Sequence, residues 1–483
     1  MTSFWNDKKV IIFIALLHHT RFILPIAEKL SRLGAKVQYV VAQAERSQEI
    51  TAIQCNLNFK HIYEYLTPED SAQIHENYLR ERTTFKRALC TDNAIGSQLT
   101  TVMDKTLHCT AMEYTAFKQM LEKESPDLCF ALHEVNRWGK MFSFYAKKFN
   151  IPFMTLQEGL NYDLNSQYTG QVQYCTLDLV WGQRVKDKLS SYEAPGERIV
   201  PVGNTHISEE LRLQKKNKIR EKLRKKYKCG NRQVFLLFFS GKIPDQKLLL
   251  PVFKSISRSN GSMMFAKFHP ASRLLQTEKW VDKIQPQDRQ NTIFIHSEES
   301  TYDLISASDV CVLVQPSTTG IESIAFGKPL VQLDVPIVDT VPYSFVDLNV
   351  ALGLTPAKFG EAVEQEMNFS GQIPAGNIST YLRNELHDLE NVSDRVIAIF
   401  EKAILANTHQ GHPPLTSDTP AEKKWSLILP VCDTPQVLLT QLEAVAVNSE
   451  GAGEFEVILI APDHPDPEIS TILDSLEGDV IIL

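Results

Sequence analysis

The chain has 483 residues, 50 Lys and Arg against 58 Asp and Glu, and a net charge of −8. That length carries two or three domains with full cores. The mildly acidic balance argues against nucleic acid as a partner, and no apolar run approaches the roughly twenty residues that span a bilayer.

Residues 10–17 follow Lys8 and Lys9 and have the outline of a signal peptide. The run is short, lacks a small-residue cleavage site and ends at His18 and His19, so it reads as a first strand. A helix over 23–33, closed by Gly34, and a strand over 36–41 come next. Residues 66–124 are polar and helix-rich. Strands are expected at 127–132, 152–156, 177–181 and 198–202, an alternation that implies a parallel sheet. A densely basic stretch spans 211–228; such runs are usually solvated linker helices, and the alternative is contact with anionic lipid head groups. A second alternating unit has strands at 234–239, 263–268, 292–295, 310–314 and 329–333, with helical residues 378–406 after it. Residues 408–424 read as a linker. The eight cysteines are scattered without a CxxC pair, as expected of buried free thiols in a reducing cytoplasm.

The chemistry concentrates at strand ends, where open α/β sheets bind ligands. Between the 310–314 and 329–333 runs lies a hydroxyl-rich turn, Ser317, Thr318, Thr319 and Gly320, which feeds a short helix. Unpaired amides and the positive dipole end of such a helix suit phosphate, and Glu322 in its first turn can reach a ribose hydroxyl. Two earlier loops occupy equivalent places: Ser240, Gly241 and Lys242, and then Lys267, His269 and Arg273. A lone His after a strand is more often structural; three such loops in order point to a nucleotide-sugar donor site.

This layout resembles the C-terminal half of GT-B glycosyltransferases, which have two Rossmann-like domains facing a cleft. The resemblance covers residues 9–406 in architecture and only short motifs in sequence. Lys267-Phe-His-Pro270 is similar to the His-Pro motif of bacterial sialyltransferases, Kdo-type transferases and CDP-glycerol phosphotransferases. It implies that His269 and the Ser317–Thr319 turn contact the donor phosphate, and that no cofactor or metal is required. Gly320-Ile-Glu322, ahead of Gly327-Lys-Pro329, is similar to the ribose-binding segment of the wider group. The first half is then the acceptor side. His18 and His19 after its first strand, Glu134 after the strand ending at 132, and Glu158 after the strand ending at 156 are candidates for the catalytic base. Lone acidic loop residues are also often merely solvated.

The first half resembles UDP-N-acetylglucosamine 2-epimerases too, in Gln157-Glu158-Gly159-Leu160 and Val202-Gly203-Asn204-Thr205. Their Gly-His-Arg-Arg-Glu segment is missing, and Ser240-Gly241-Lys242 stands in its place. Residues 425–483 resemble the opening of a family-2-type GT-A transferase, with Asp433 and Asp463 where nucleotide-contacting carboxylates would lie. They stop before any DxD metal motif, as in a fragment of a larger polypeptide with two transferase modules.

The expected organisation is an acceptor domain over 1–205, a basic linker helix over 206–232, a donor domain with return helices over 233–407, a linker over 408–424 and a partial GT-A-like domain over 425–483. The expected activity is transfer of a sugar from a CMP-, CDP- or UDP-linked donor to a glycan or lipid-linked acceptor of a bacterial capsule or lipopolysaccharide. The protein would be cytoplasmic, with peripheral membrane contact through 211–228. Alternatives are a sugar-nucleotide epimerase and a non-catalytic GT-B glycan-binding module.

Overall fold

The computed structural model describes the chain from Ser3 to Ile482 outside residues 17–18, 43–58, 90–93, 133, 161–171, 193, 240–242, 270–271, 297, 337–342, 410–424, 431–454 and 461–479. Two compact units result: Met1–His61 with Glu124–His409, and Ile62–Lys123 with Gln410–Leu483.

The first unit opens with β1 (Lys9–Ile14), α1 (Thr20–Arg32), β2 (Lys36–Val41) and β3 (Phe59–His61). Helices α2 (Ser71–Leu89) and α3 (Ala94–Glu124) follow in the chain and lie almost wholly in the second unit. Next come β4 (Leu128–Phe130), α4 (Arg137–Lys148), β5 (Phe153–Leu156), β6 (Leu177–Val180), α5 (Gln183–Ser190) and β7 (Ile199–Pro201). The seven strands are ordered 3-2-1-4-5-6-7 and every pairing is parallel. From Val10 to Ile14 strand β1 is buried at every position, as a parallel strand covered on both faces must be, and this accounts for its unbroken apolar run.

Helices α6 (Thr205–Asn217) and α7 (Ile219–Lys226) lead to the second sheet, built from β8 (Gln233–Phe238), β9 (Ser262–Lys267), β10 (Thr292–Ile295), β11 (Val310–Leu313), β12 (Leu330–Leu333) and β13 (Leu352–Leu354). Between these strands lie α8 (Gln246–Arg258), α9 (Leu274–Asp282), α10 (Thr301–Ala307) and α11 (Thr318–Ala325). The strand order is 10-9-8-11-12-13, again all parallel. In both sheets the order reverses beside the first strand, between β1 and β4 and between β8 and β11. Those reversals open the crevices in which such sheets bind ligands.

After α12 (Pro356–Glu364) and α13 (Ala375–Leu386), α14 (Val392–His409) returns to the first sheet. Trp5 Nε1 donates to Glu401 at 2.6 Å, Lys29 pairs with Asp394, and Phe130 meets Phe400 edge-on at 5.3 Å. The helical stretch expected at 378–406 is therefore two helices. His387, at φ 54°, caps the first.

The basic stretch is also two helices, broken at Lys218 by a left-handed backbone conformation with φ 51°. Two of its arginines, Arg220 and Arg224, are structural, whereas Arg212 pairs on the surface with Glu209. Arg220 and Arg224 both bind Asp309, at 2.5 and 3.1 Å, and donate to backbone carbonyls around it.

In the second unit, Arg82 of α2 bridges to Asp104 of α3 at 2.7 Å. Strands β14 (Trp425–Pro430), β15 (Phe455–Ile460) and β16 (Val480–Ile482) form a parallel three-stranded sheet in that order. Asp433 and Asp463 lie outside the described residues, and the three short strands do not show a GT-A fold. No helix among the described residues is long and apolar enough to cross a membrane.

Candidate functional site

Strand β1 ends at Ile14, and the loop after it delivers His19 to the N-cap position of α1. The imidazole is almost fully buried, and its Nε2 lies 2.8 Å from a Glu158 carboxylate oxygen. Glu158 sits on the loop after β5, with about a fifth of its side chain exposed against 2% for His19. Glu158 is thus the more exposed member of the pair. His18 lies outside the described residues.

Glu134 takes a different place from the base expected of it. It is fully buried and accepts backbone N–H groups from Gln173, from Tyr174 at 3.1 Å and from Cys175 at 2.8 Å. Three successive amides converging on one carboxylate make a loop anchor: the charge is stabilised by fixed donors, and both oxygens are occupied. A group so engaged is poorly placed to take a proton from a substrate.

In the second sheet, Ser317 stands at the N-cap of α11 with its hydroxyl 2.6 Å from that of Thr319. Ser317, Thr318 and Thr319 are half-buried, at the mouth of the β8–β11 crevice. Gly320 is there for packing: a Cβ at this position would run into the Phe345 ring and Leu313. Glu322 is buried, and its Oε1 accepts the Tyr302 hydroxyl at 2.8 Å. Burial raises its pKa, against the opposing pull of the Tyr302 hydrogen bond and the Arg21 charge.

The remaining donor candidates separate. Lys267 does not face a ligand: its ammonium donates to the carbonyls of His296 and, at 3.0 Å, Glu299. Burial pushes its pKa down. His269 and Arg273 are exposed on the loop after β9, and desolvation lowers the His269 imidazole below the usual histidine value. Ser240, Gly241 and Lys242 lie outside the described residues.

Three residues missed by sequence reading join the two halves of the site. Arg21, in the first turn of α1, stacks on Phe22 at 4.8 Å; burial raises the pKa values of Glu322 and Tyr302 and the Arg21 charge opposes that rise, whereas at His206 it adds to the lowering by burial. His206, at the start of α6, packs edge-on against Tyr302 at 4.8 Å and Phe22 at 5.7 Å. Burial first, and then Arg21, hold its pKa down at about 3. Arg21 was within reach of the sequence, as a cation opening the helix after the first strand. Nothing in the spacing of Tyr302 or His206 announces their contact. Among the described residues no group of three or more His, Cys, Asp or Glu side chains converges closely enough to hold a metal ion.

No protein-family model matches the sequence, and no curated protein is similar to it. Solved structures are similar in fold. The UDP-GlcNAc 2-epimerase from Neisseria meningitidis bound to UDP-GlcNAc shares 14% identity and a TM-score of 0.55, over 82% of this chain and 100% of that one. The UDP-GlcNAc 2-epimerase from Methanocaldococcus jannaschii shares 13% identity and a TM-score of 0.56, over 82% and 99%. A glycosyltransferase from Rickettsia africae shares 13% identity and a TM-score of 0.49, over 83% and 99%. The likeness to the two epimerases is one of architecture: two parallel α/β sheets of the GT-B type.

Proposed function

We propose that this chain is a nucleotide-sugar enzyme that transfers a sugar from a CMP-, CDP- or UDP-linked donor to a glycan or lipid-linked acceptor in bacterial surface polysaccharide assembly. One observation carries the reading. His19 at the N-cap of α1 is paired with Glu158 at 2.8 Å, and Phe22 in the first turn of the same helix meets His206, which packs on Tyr302, whose hydroxyl donates to Glu322 beside the Ser317–Thr319 turn. A carboxylate able to take a proton and a helix start able to hold an anionic leaving group therefore share one neighbourhood.

In this reading Glu158 accepts the proton of the acceptor hydroxyl as that oxygen attacks the anomeric carbon, and His19 holds the carboxylate in place. The bond from the anomeric carbon to the phosphate oxygen breaks with its electron pair going to the nucleotide. The charge that develops there is met by the amides at the start of α11, the hydroxyls of Ser317, Thr318 and Thr319, and Arg21. Glu322 accepts from the ribose in exchange for the Tyr302 hydroxyl, or while keeping it. His269, on the neighbouring loop, adds a phosphate contact.

A second reading, epimerisation of a UDP-sugar, is supported by the fold likeness to two 2-epimerases, one of them with UDP-GlcNAc bound. It also needs a base near a nucleotide, so the same residues serve both; the missing Gly-His-Arg-Arg-Glu segment weighs against it. Thermal-shift screening with CMP, CDP, UDP, GDP and their sugars identifies the donor, and incubation with that donor then separates the readings. Transfer requires an acceptor and frees the nucleotide, whereas epimerisation proceeds on the nucleotide sugar alone. Absence of any nucleotide binding would leave a non-catalytic glycan-binding module.

A further inference from the structure

We infer that the lysine face of α7 is a docking surface for an anionic lipid bilayer. The inference uses none of the residues of the candidate site and stands apart from the reading given to it.

In a chain of net charge −8, residues 218–228 carry seven basic side chains and a single acid, Glu221. The fold sorts the seven by type. Arg220, still partly exposed, and Arg224 flank buried Leu223 and are engaged by Asp309 and the carbonyls of Ser308 and Arg232. Lys218, Lys222, Lys225 and Lys228 are exposed and make no ion pair among the described residues; Lys226 is held by Glu299. Lys222 and Lys225 lie three residues apart on one face of the helix, with Lys218 before it and Lys228 after it.

The sorting says what the face suits. Arginine forks grip single phosphates bidentately, and here they are engaged by Asp309 and backbone carbonyls; the side chains left for solvent are lysine point charges on flexible stems. Such an array attracts a diffuse sheet of anionic head groups rather than one defined phosphate. The nearest aromatic ring, Tyr227, is turned inward, its hydroxyl on Glu299 and its ring 5.2 Å from that of Phe265, so no ring is presented for stacking nucleic-acid bases. The depression beside the helix, lined by Arg220, Arg224, Arg232 and Asp309, is no anion site, because those guanidinium groups are committed to Asp309 and to backbone carbonyls.

The test is co-sedimentation of the full chain with phosphatidylcholine vesicles, with and without phosphatidylglycerol. Binding should require phosphatidylglycerol and weaken steeply with added salt. Each Lys→Gln change should weaken it about fivefold, and K218Q/K222Q/K225Q/K228Q together by at least about a hundredfold, with an unchanged melting temperature. Failure of the wild type to bind anionic vesicles overturns the inference, as does binding that is insensitive to salt. Equal binding by the quadruple variant does so too, and so does equally tight binding to duplex DNA.

Discussion

Two carboxylates at equivalent strand ends have opposite fates, and the difference is measurable. Glu158 is partly exposed against His19, so Glu158→Gln should lower turnover by about 10²–10⁴-fold while leaving nucleotide affinity nearly unchanged, as kinetics and calorimetric titration would show. Glu134→Gln should behave differently. Removing the charge that three backbone amides bind weakens charge-assisted bonds of about 1.5–3 kcal/mol each, so the melting temperature should fall even where turnover persists. A Glu134→Gln protein of wild-type stability would reverse that assignment. His206 predicts a pH effect. Its folded pKa of about 3 lies below the unfolded value near 6.5, so the unfolded chain binds the extra proton between those limits. The stability it contributes is complete above pH 6.5 and is lost on acidification, at about 1.4 kcal/mol per pH unit. Urea unfolding at pH 7, 5.5 and 4 should show a shallower acid loss in His206→Phe, which keeps a ring against Tyr302 and Phe22.

Among the elements, the junction of α13 and α14 packs closely against the loop after β7. Gly203 has φ 92°, and a Cβ there would come within 2.5 Å of the Asp388 carbonyl oxygen. Arg395 of α14 donates to the Val202 carbonyl at 2.5 Å, one residue away. Gly203→Ala therefore combines a left-handed backbone with overpacking, which costs about 1–3 kcal/mol for the overpacking alone. A lowered midpoint in chemical unfolding is the expected result; an unchanged midpoint would show that α14 can move away from the loop.

At the scale of the whole molecule, the candidate site lies entirely in the unit of Met1–His61 and Glu124–His409. A chain ending at residue 410 keeps that unit and should retain nucleotide binding and turnover, and the loss of the β14–β16 sheet, with its edge strands, should favour solubility. A truncated protein that folds and binds nucleotide yet no longer turns over would assign residues 411–483 to the chemistry.

Sequence alone determined the alternation of strands and helices, because buried parallel strands require unbroken apolar runs such as those of β1, β8 and β11. It also located the strand-end loops that carry His19, Glu158 and Ser317. Polar three-residue β3, at a sheet edge, left no such signal. What each charge does was decided only by the tertiary fold. Glu134 meets amides about forty residues on, Arg220 meets Asp309 across 89 residues, and Tyr302 reaches Glu322 from a different helix. Hydrogen bonds act over about 3 Å in space, and separation along the chain does not encode which donor will arrive there.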